Sequence, residues 1–353
     1  MILLALGSAV YCILVVVALR NFLAQEQKRN TEPVTFVKPL RGVDAGLEDN
    51  LRSVFGQRGQ FQIVLAVEER NDPAYAVAEK LMAEYPQVDA QLIVTGAPQW
   101  ANPKVWKLAQ AWILARYDLI VISDSDIWLP SRFVEQVDPQ FDVATYPYRA
   151  VGGPSVWSSL EAIGMNTEFL AGMLVARLVE GGVKFAVGPT MHVRKGVIDK
   201  IGGWQTLSEY LAEDFVIGQR AAEQGMKVGI ARTVVEHRIG SQDRSTNFAH
   251  RLRWMRSTRA SRGWAYLGQF FAMPTAVALI VAPFAPVASA AVMALWLAAA
   301  ISVARVVEAK MTVALLAQDI LSFCFWLAGW FGRDIVWRGR KYTLQPDGRF
   351  VRA

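Results

Sequence analysis

Asp124-Ser125-Asp126 follows directly on the apolar run Leu119-Ile120-Val121-Ile122-Ser123. Two carboxylates so spaced at the C-terminal end of a buried strand stand where open α/β sheets bind ligands. Hard divalent cations take oxygen ligands, and Mg²⁺ is held by one or two carboxylates together with substrate phosphates. Asp124 and Asp126 therefore read as a Mg²⁺ or Mn²⁺ clamp on a diphosphate, although a solvated turn would use the same residues. Upstream, Glu68, Glu69 and Asp72 crowd the end of another strand. An acid there can accept hydrogen bonds from a base or ribose, while Asp72 ahead of Pro73 also suits a helix N-cap. Asn102-Pro103-Lys104 opens a helix, where Lys104 adds a point charge to backbone N–H groups that already favour phosphate. Downstream, Glu213-Asp214 offers a general base for an acceptor hydroxyl. His250-Arg251-Leu252-Arg253-Trp254 offers an arginine for a departing pyrophosphate and a ring to wall a sugar site. Asp214 is also compatible with an ordinary surface acid, and Trp254 with a membrane-interface anchor.

The elements that must position these groups fall into three stretches. Short apolar runs at Val34–Val37, Phe61–Val67, Gln91–Val94 and Leu119–Ser123 predict strands, with two more at Asp142–Tyr146 and Val228–Val235. Helical patterns at 44–56, 74–85 and 103–116 lie between the first four. Strand alternating with helix implies a parallel sheet covered on both faces.

Composition places this α/β domain beside a membrane. Of 353 residues 53% are hydrophobic and only 19% charged, too apolar for an ordinary soluble enzyme. The balance of 37 Lys+Arg against 31 Asp+Glu, a net +6, suits contact with anionic membrane lipids. Nucleic acid is not an expected partner, because the basic residues border apolar segments and are not interleaved with stacking aromatics. Cys12 and Cys324 both lie in apolar stretches and make no disulfide framework or metal site.

Residues 2–19 are nearly unbroken apolar sequence followed by Arg20, Lys28 and Arg29, so the N-terminus is expected outside and the next domain in the cytoplasm. The missing basic n-region argues against a cleaved signal peptide. Further apolar stretches at 265–283, 285–304 and 312–331 suggest two full crossings and one irregular Pro-flanked segment. The charged interruptions of 168–187 suggest an interfacial helix or a loop on the membrane surface and not a span. The expected domains are a transmembrane helix at 1–24, an α/β domain at 33–262, transmembrane or re-entrant helices at 263–335 and a basic tail at 336–353.

The order acid, Asp-x-Asp, Glu-Asp, Arg-Trp resembles the family-2 glycosyltransferases with a GT-A fold, most of all the ceramide glucosyltransferases. The likeness also runs through Val37-Lys38-Pro39-Leu40-Arg41-Gly42-Val43-Asp44, Asn102-Pro103-Lys104, Tyr117-Asp118-Leu119-Ile120 and the closing Trp337, Arg338, Arg340 and Tyr342. It implies an α/β GT-A (Rossmann-like) nucleotide-sugar domain with a mostly parallel sheet and transmembrane helices at both ends. It also implies a UDP-sugar donor, Mg²⁺ or Mn²⁺, and a lipid acceptor, ceramide or a relative, with hexose transfer that inverts the anomeric centre.

By this resemblance Asp214, Arg253 and Trp254 are catalytic. Lys38, Glu69, Asp72, Lys104, Asp124 and His250 contact the nucleotide sugar, with Glu68 or Glu69 as the alternative to Asp72 for the uracil contact. Asp124 and Asp126 hold the metal. Two departures stand out: His250 replaces the Gln or Arg that begins the terminal signature, and Trp106-Lys107 follow the Asn-Pro-Lys where Asn residues are common. His237 is either a third metal ligand or structural. The neighbouring readings are N-acetylglucosamine transfer to a hopanoid polyol and a non-catalytic nucleotide-sugar-binding membrane protein.

Overall fold

A computed structural model describes residues 1–310, 312–337 and 340–352. Arg338 of the closing motif lies outside the described residues. The chain runs through α1 (Ile2–Leu23), β1 (Val34–Pro39), α2 (Leu47–Phe55), β2 (Phe61–Val67), α3 (Pro73–Glu84), β3 (Asp89–Val94), α4 (Pro103–Leu114) and β4 (Leu119–Ser123). There follow β5 (Ile127–Trp128), α5 (Phe133–Gln136), β6 (Val143–Thr145), β7 (Tyr148–Gly152), α6 (Val156–Gly164), a π-helical turn (Met165–Phe169) and α7 (Leu170–Val179). Then come β8 (Thr190–Arg194), α8 (Lys195–Lys200), α9 (Gly203–Leu207), α10 (Glu213–Glu223), β9 (Val228–Ile230) and β10 (Val235–Gly240). The last part holds α11 (Arg244–Arg262), a 3₁₀ segment (Gly263–Ala272), α12 (Pro274–Val281), α13 (Pro286–Val306), α14 (Ala314–Gly329) and β11 to β13 (Asp334–Trp337, Arg340–Leu344, Phe350–Arg352).

The chain divides into two compact units, an α/β unit of Glu26–Tyr148 and Val183–Gly240, and a helical unit of Met1–Gln25, Arg149–Gly182 and Ser241–Ala353. The helical unit thus takes in two segments inside the 33–262 span expected for the α/β domain.

In the α/β unit seven strands pair in the order β3-β2-β1-β4-β8-β6-β9. β1, β2, β3 and β4 run parallel, and β8 alone is antiparallel to both its neighbours. Every residue of β1 and β4 is buried, which is why these strands read as continuous apolar runs and not as alternating ones. The sheet's core includes Val37, Val64, Ile120 and Ile122 against Leu108 and Trp112 of α4. Both α3 and α4 start as their sequences suggest: Asp72 and Asn102 cap them and a proline takes the first turn. The run Val228–Val235 is two strands, β9 and the start of β10, and not one.

In the helical unit α1, the continuous helix Val156–Val179 and α13 are each long and apolar enough to cross a membrane. The pair Arg244–Ala272 and Pro274–Val281 passes the same test together but bends by 64°. The stretch 168–187, expected at the membrane surface, overlaps a helix long and apolar enough to cross a membrane that ends at Val179; Ser322 Oγ donates to Glu168 Oε1 at 2.5 Å, while Glu168 Oε2 is buried without a hydrogen-bond partner. Among the described residues the C-terminal region holds α13 as an unbroken helix of that length, the bent pair as a second segment that passes the test, and α14 with 16 residues.

Candidate active site

The parallel alignment of β1, β2 and β4 brings the loops after Pro39, Val67 and Ser123 to one sheet edge. These loops tie to one another. Asp72 Oδ1 accepts from the Gly42 N–H at 2.8 Å as well as from Ala74 N–H at 2.9 Å, so one carboxylate oxygen caps α3 and anchors the β1 loop. Gly42 has φ +66°, a left-handed conformation that glycine adopts without strain. Ser125 Oγ donates to Asp44 Oδ2 at 2.6 Å, and Asn50 Nδ2 donates to the Ser125 carbonyl at 3.1 Å. The residue between the two aspartates thus pins their loop to the segment after β1. Glu69 is exposed and Glu68 half-buried on the loop before Asp72.

Two lysines face this edge. Lys38 is fully buried in β1, and its Nζ donates to the Asp124 carbonyl at 2.7 Å and to Ser123 Oγ at 3.2 Å. Burial pushes its amine down to about 8, against the pull of Asp124 and Asp126. Lys104, in the first turn of α4, sits between Asp124 Oδ1 at 2.9 Å and Glu213 Oε1 at 3.0 Å. Burial favours its neutral form, but Asp124, Glu213 and Asp214 together hold it above the ordinary lysine value.

The Asn102 side chain joins α4 to the start of α10. Its Oδ1 accepts from the N–H groups of Lys104 and Val105 at 2.9 and 3.2 Å, while Nδ2 donates to the Tyr210 carbonyl at 2.9 Å and to Glu213 Oε2 at 3.3 Å. Glu213 is buried and Asp214 half-buried in the first turn of α10. Burial, then the Glu213 charge, raises the Asp214 carboxyl to about 6. A carboxyl so placed is a base matched to near-neutral chemistry. Gly188 leaves the space Asp214 occupies, since a Cβ there would stand 2.8 Å from Asp214 Oδ2 and 3.4 Å from Lys104 Nζ.

Asp126 faces the other way. Its Oδ2 meets His237 Nε2 at 3.1 Å, and the His237 ring packs edge-on against Tyr148 with centroids 5.3 Å apart. Burial pushes the Asp126 carboxyl up, but His237 and the Lys38 charge outweigh it and hold it at about 2. Asp126 Oδ1 is buried without a hydrogen-bond partner. An ionised, partnerless carboxylate oxygen beside a second carboxylate fits a hard divalent cation. Among the described residues no three acidic, histidine or cysteine side chains converge as a complete metal site. The remaining ligands would therefore come from phosphate and water.

His250, Arg253 and Trp254 lie on α11 in the helical unit. His250 Nδ1 meets Glu161 Oε1 at 3.0 Å, and Asn247 Nδ2 donates to the other oxygen of this buried acid. The His250 ring lies 4.7 Å from that of Trp254, and the Phe169 ring lies 6.4 Å from Trp254. Arg253 is half-buried. The departure at position 250 thus has a partner of its own chemistry.

Sequence reasoning did not single out Glu161, and Glu213 entered it only as the companion of Asp214. The partners of Glu161 lie more than 85 residues away and left no local signal. Trp106 and Lys107 prove to be props for strand ends. Trp106 Nε1 donates to the Thr95 carbonyl at 3.2 Å and Lys107 Nζ to the Leu40 carbonyl at 2.6 Å.

A mostly parallel sheet with one reversed strand, carrying an Asp-x-Asp at the end of a central strand, is the arrangement expected of a GT-A glycosyltransferase. The mannosyltransferase PcManGT from Pyrobaculum calidifontis, solved with GDP-Man and Mn²⁺, shares this fold with a TM-score of 0.51 at 14% identity, over 92% of this chain and 98% of its own. The chain belongs to glycosyl transferase family 21, whose model matches residues 1–350. It is 29% identical to Ceramide glucosyltransferase 1 of Caenorhabditis elegans over 206 residues, 56% of this chain and 44% of that protein. It is 35% identical to the ceramide glucosyltransferase of Komagataella phaffii over 136 residues, 34% of this chain and 27% of that protein. In these matches the chain spans less than half the length of the curated relatives.

Proposed function

We propose that this protein is a membrane-bound inverting glycosyltransferase that moves glucose from a UDP-sugar to the primary hydroxyl of ceramide. Family membership and the printed names of the relatives support the reaction class and the acceptor. The observation that carries the mechanism is Asp214, raised to about 6 beside a lysine that bridges Asp124 and Glu213. Asp214 takes the proton from the acceptor hydroxyl as that oxygen attacks the anomeric carbon, and the bond to the UDP oxygen breaks on the opposite face. An α-linked donor gives a β-glycolipid by this single displacement. Lys104 balances negative charge on the cluster. Lys38 fixes the Asp124 backbone, and Asp72 fixes the β1 loop. Asp124 and Asp126 would hold Mg²⁺ or Mn²⁺, which supplies Lewis acidity toward the diphosphate. Arg253 and Trp254 carry the leaving-group and sugar-wall roles implied by the resemblance, with His250 oriented by Glu161. Arg20 at the end of α1 and the following Lys28 and Arg29 support a cytoplasmic α/β unit.

The test supplies membranes containing the protein with UDP-glucose, UDP-galactose or UDP-N-acetylglucosamine and with ceramide or a hopanoid polyol, and reads products by mass spectrometry. Glucosylceramide from wild type and none from Asp214→Asn is the expected result. No lipid product with any pair, wild type and Asp214→Asn being indistinguishable, removes the enzyme reading. Product with the hopanoid alone removes only ceramide.

A further inference from the structure

At the C-terminal end of α11 the helical unit holds a cavity of about 230 Å³, lined by Arg256, Arg259 and Arg333 and by Trp264 and Trp330. Arg259 Nη1 donates to the carbonyls of Gly329 and Trp330 at 3.1 and 2.6 Å, and its guanidinium lies 5.3 Å from the Trp330 ring centre. Arg256 donates from Nε to the Phe331 carbonyl at 3.1 Å and from Nη1 to the Asp334 carbonyl. These bonds satisfy carbonyls left over at and beyond the end of α14, and they hold two guanidinium planes in place. Each guanidinium has five N–H donors, more than these carbonyls use.

Capping accounts for Arg256 and Arg259 but not for the other two features of the cavity. Arg333 is exposed and makes no side-chain hydrogen bond or ion pair to any described residue. Trp264 at the rim is 85% exposed. No acidic side chain is among the described residues lining the cavity. The nearby Asp334 turns its carboxylate to Thr343, whose Oγ1 donates to Oδ1 at 2.8 Å.

We propose that this cavity binds the phosphate of an anionic membrane phospholipid. Three guanidinium groups with no acidic side chain among the described lining residues, Asp334 acting on Arg256 from outside the cavity, attract phosphate, and the planar fork matches its oxygens. An exposed tryptophan beside the ends of apolar helices is the amphipathic anchor found at headgroup depth. Basic pockets between such helices are the usual seats of lipid headgroups. Free phosphate shares the anion chemistry but gives Trp264 nothing to pack against, so the lipid is the assigned source. The site goes beyond the proposed reaction, and its readout is binding, so it stands or falls independently of catalysis.

The full chain, purified in neutral detergent, is titrated with phosphatidylglycerol, phosphatidylcholine or inorganic phosphate, and retained lipid is counted by native mass spectrometry. Phosphatidylglycerol is expected to bind at least about fivefold more tightly than phosphatidylcholine, and Arg333→Gln to weaken it about fivefold. Trp264→Ala weakens both lipids. Arg349→Gln, on the same small sheet but ion-paired with Asp347 at 2.8 Å, leaves binding unchanged. Both Arg333 and Trp264 are exposed, so neither change threatens folding. Equal binding of the two lipids, wild-type affinity in Arg333→Gln, or equal weakening by Arg349→Gln overturns the site. Full displacement of phosphatidylglycerol by an equal concentration of inorganic phosphate overturns the lipid assignment.

Discussion

If Asp214 is the proposed base, burial that raises its carboxyl to about 6 gives the reaction a direction in pH. Asp214 accepts a proton only when ionised, and burial raises its carboxyl to about 6. The rate at subsaturating donor should therefore climb as pH rises through about 6 and level off above it, as a full pH–rate profile would show. Asp214→Asn should lower kcat by about 10²- to 10⁴-fold and remove that acidic limb, while circular dichroism stays native. Gly188→Ala tests the same carboxylate from its neighbour. The added methyl would stand 2.8 Å from Asp214 Oδ2, so activity should fall several-fold with little change in melting temperature. Chelation followed by Mn²⁺ or Mg²⁺ repletion should abolish and restore activity in wild type, and Asp126→Asn should raise the metal concentration needed. At this scale the sequence marked Asp124, Asp126 and Asp214 because strand-end acids are local patterns. It could not mark Glu161, whose role depends on two partners on a distant helix.

Helix α10 owes its position to close backbone contact. Gly218 packs so tightly on the 185–186 segment that a Cβ would come within 2.1 Å of the Phe185 carbonyl carbon. That atom cannot rotate away, so Gly218→Ala should destabilise the fold by about 1–3 kcal/mol or more, measured as a lowered denaturation midpoint. Asn102→Ala removes the cap of α4 and its bond to Tyr210 together, at a cost of about 1 kcal/mol or more. The first four strands and three helices are legible because each carries its own apolar pattern, and α3 and α4 carry their own N-caps as well. The apolar helices were less so. Hydropathy counts Glu168 as a charge in water, whereas the structure buries it, with Ser322 donating to one of its two oxygens. The charged interruptions at 168–187 therefore point to the membrane surface in the sequence, while the helix that contains Glu168 starts upstream at Val156. Pro274 and Pro286 likewise mark helix starts clearly, but the 64° bend before Pro274 has no periodicity of its own.

The path of the chain through its two units sets the order in which the molecule can be completed. The chain leaves the α/β unit after Tyr148 and returns at Val183, and between these points it lays down α6 and α7. On its return it forms β8, which pairs with β4 on one side and β6 on the other. A ribosome that has released only the first 182 residues has thus made β4 with an open edge and β6 with no neighbour. Proteolysis of nascent chains arrested at that length should cut within 140–148, and protection should appear only after β8 has emerged. Asp214 comes later still, on α10. The proposed proton acceptor is therefore supplied only after an apolar helix long enough to cross a bilayer has been synthesised. A chain that stalls at that helix leaves the ribosome without Asp214, the base of the proposed reaction.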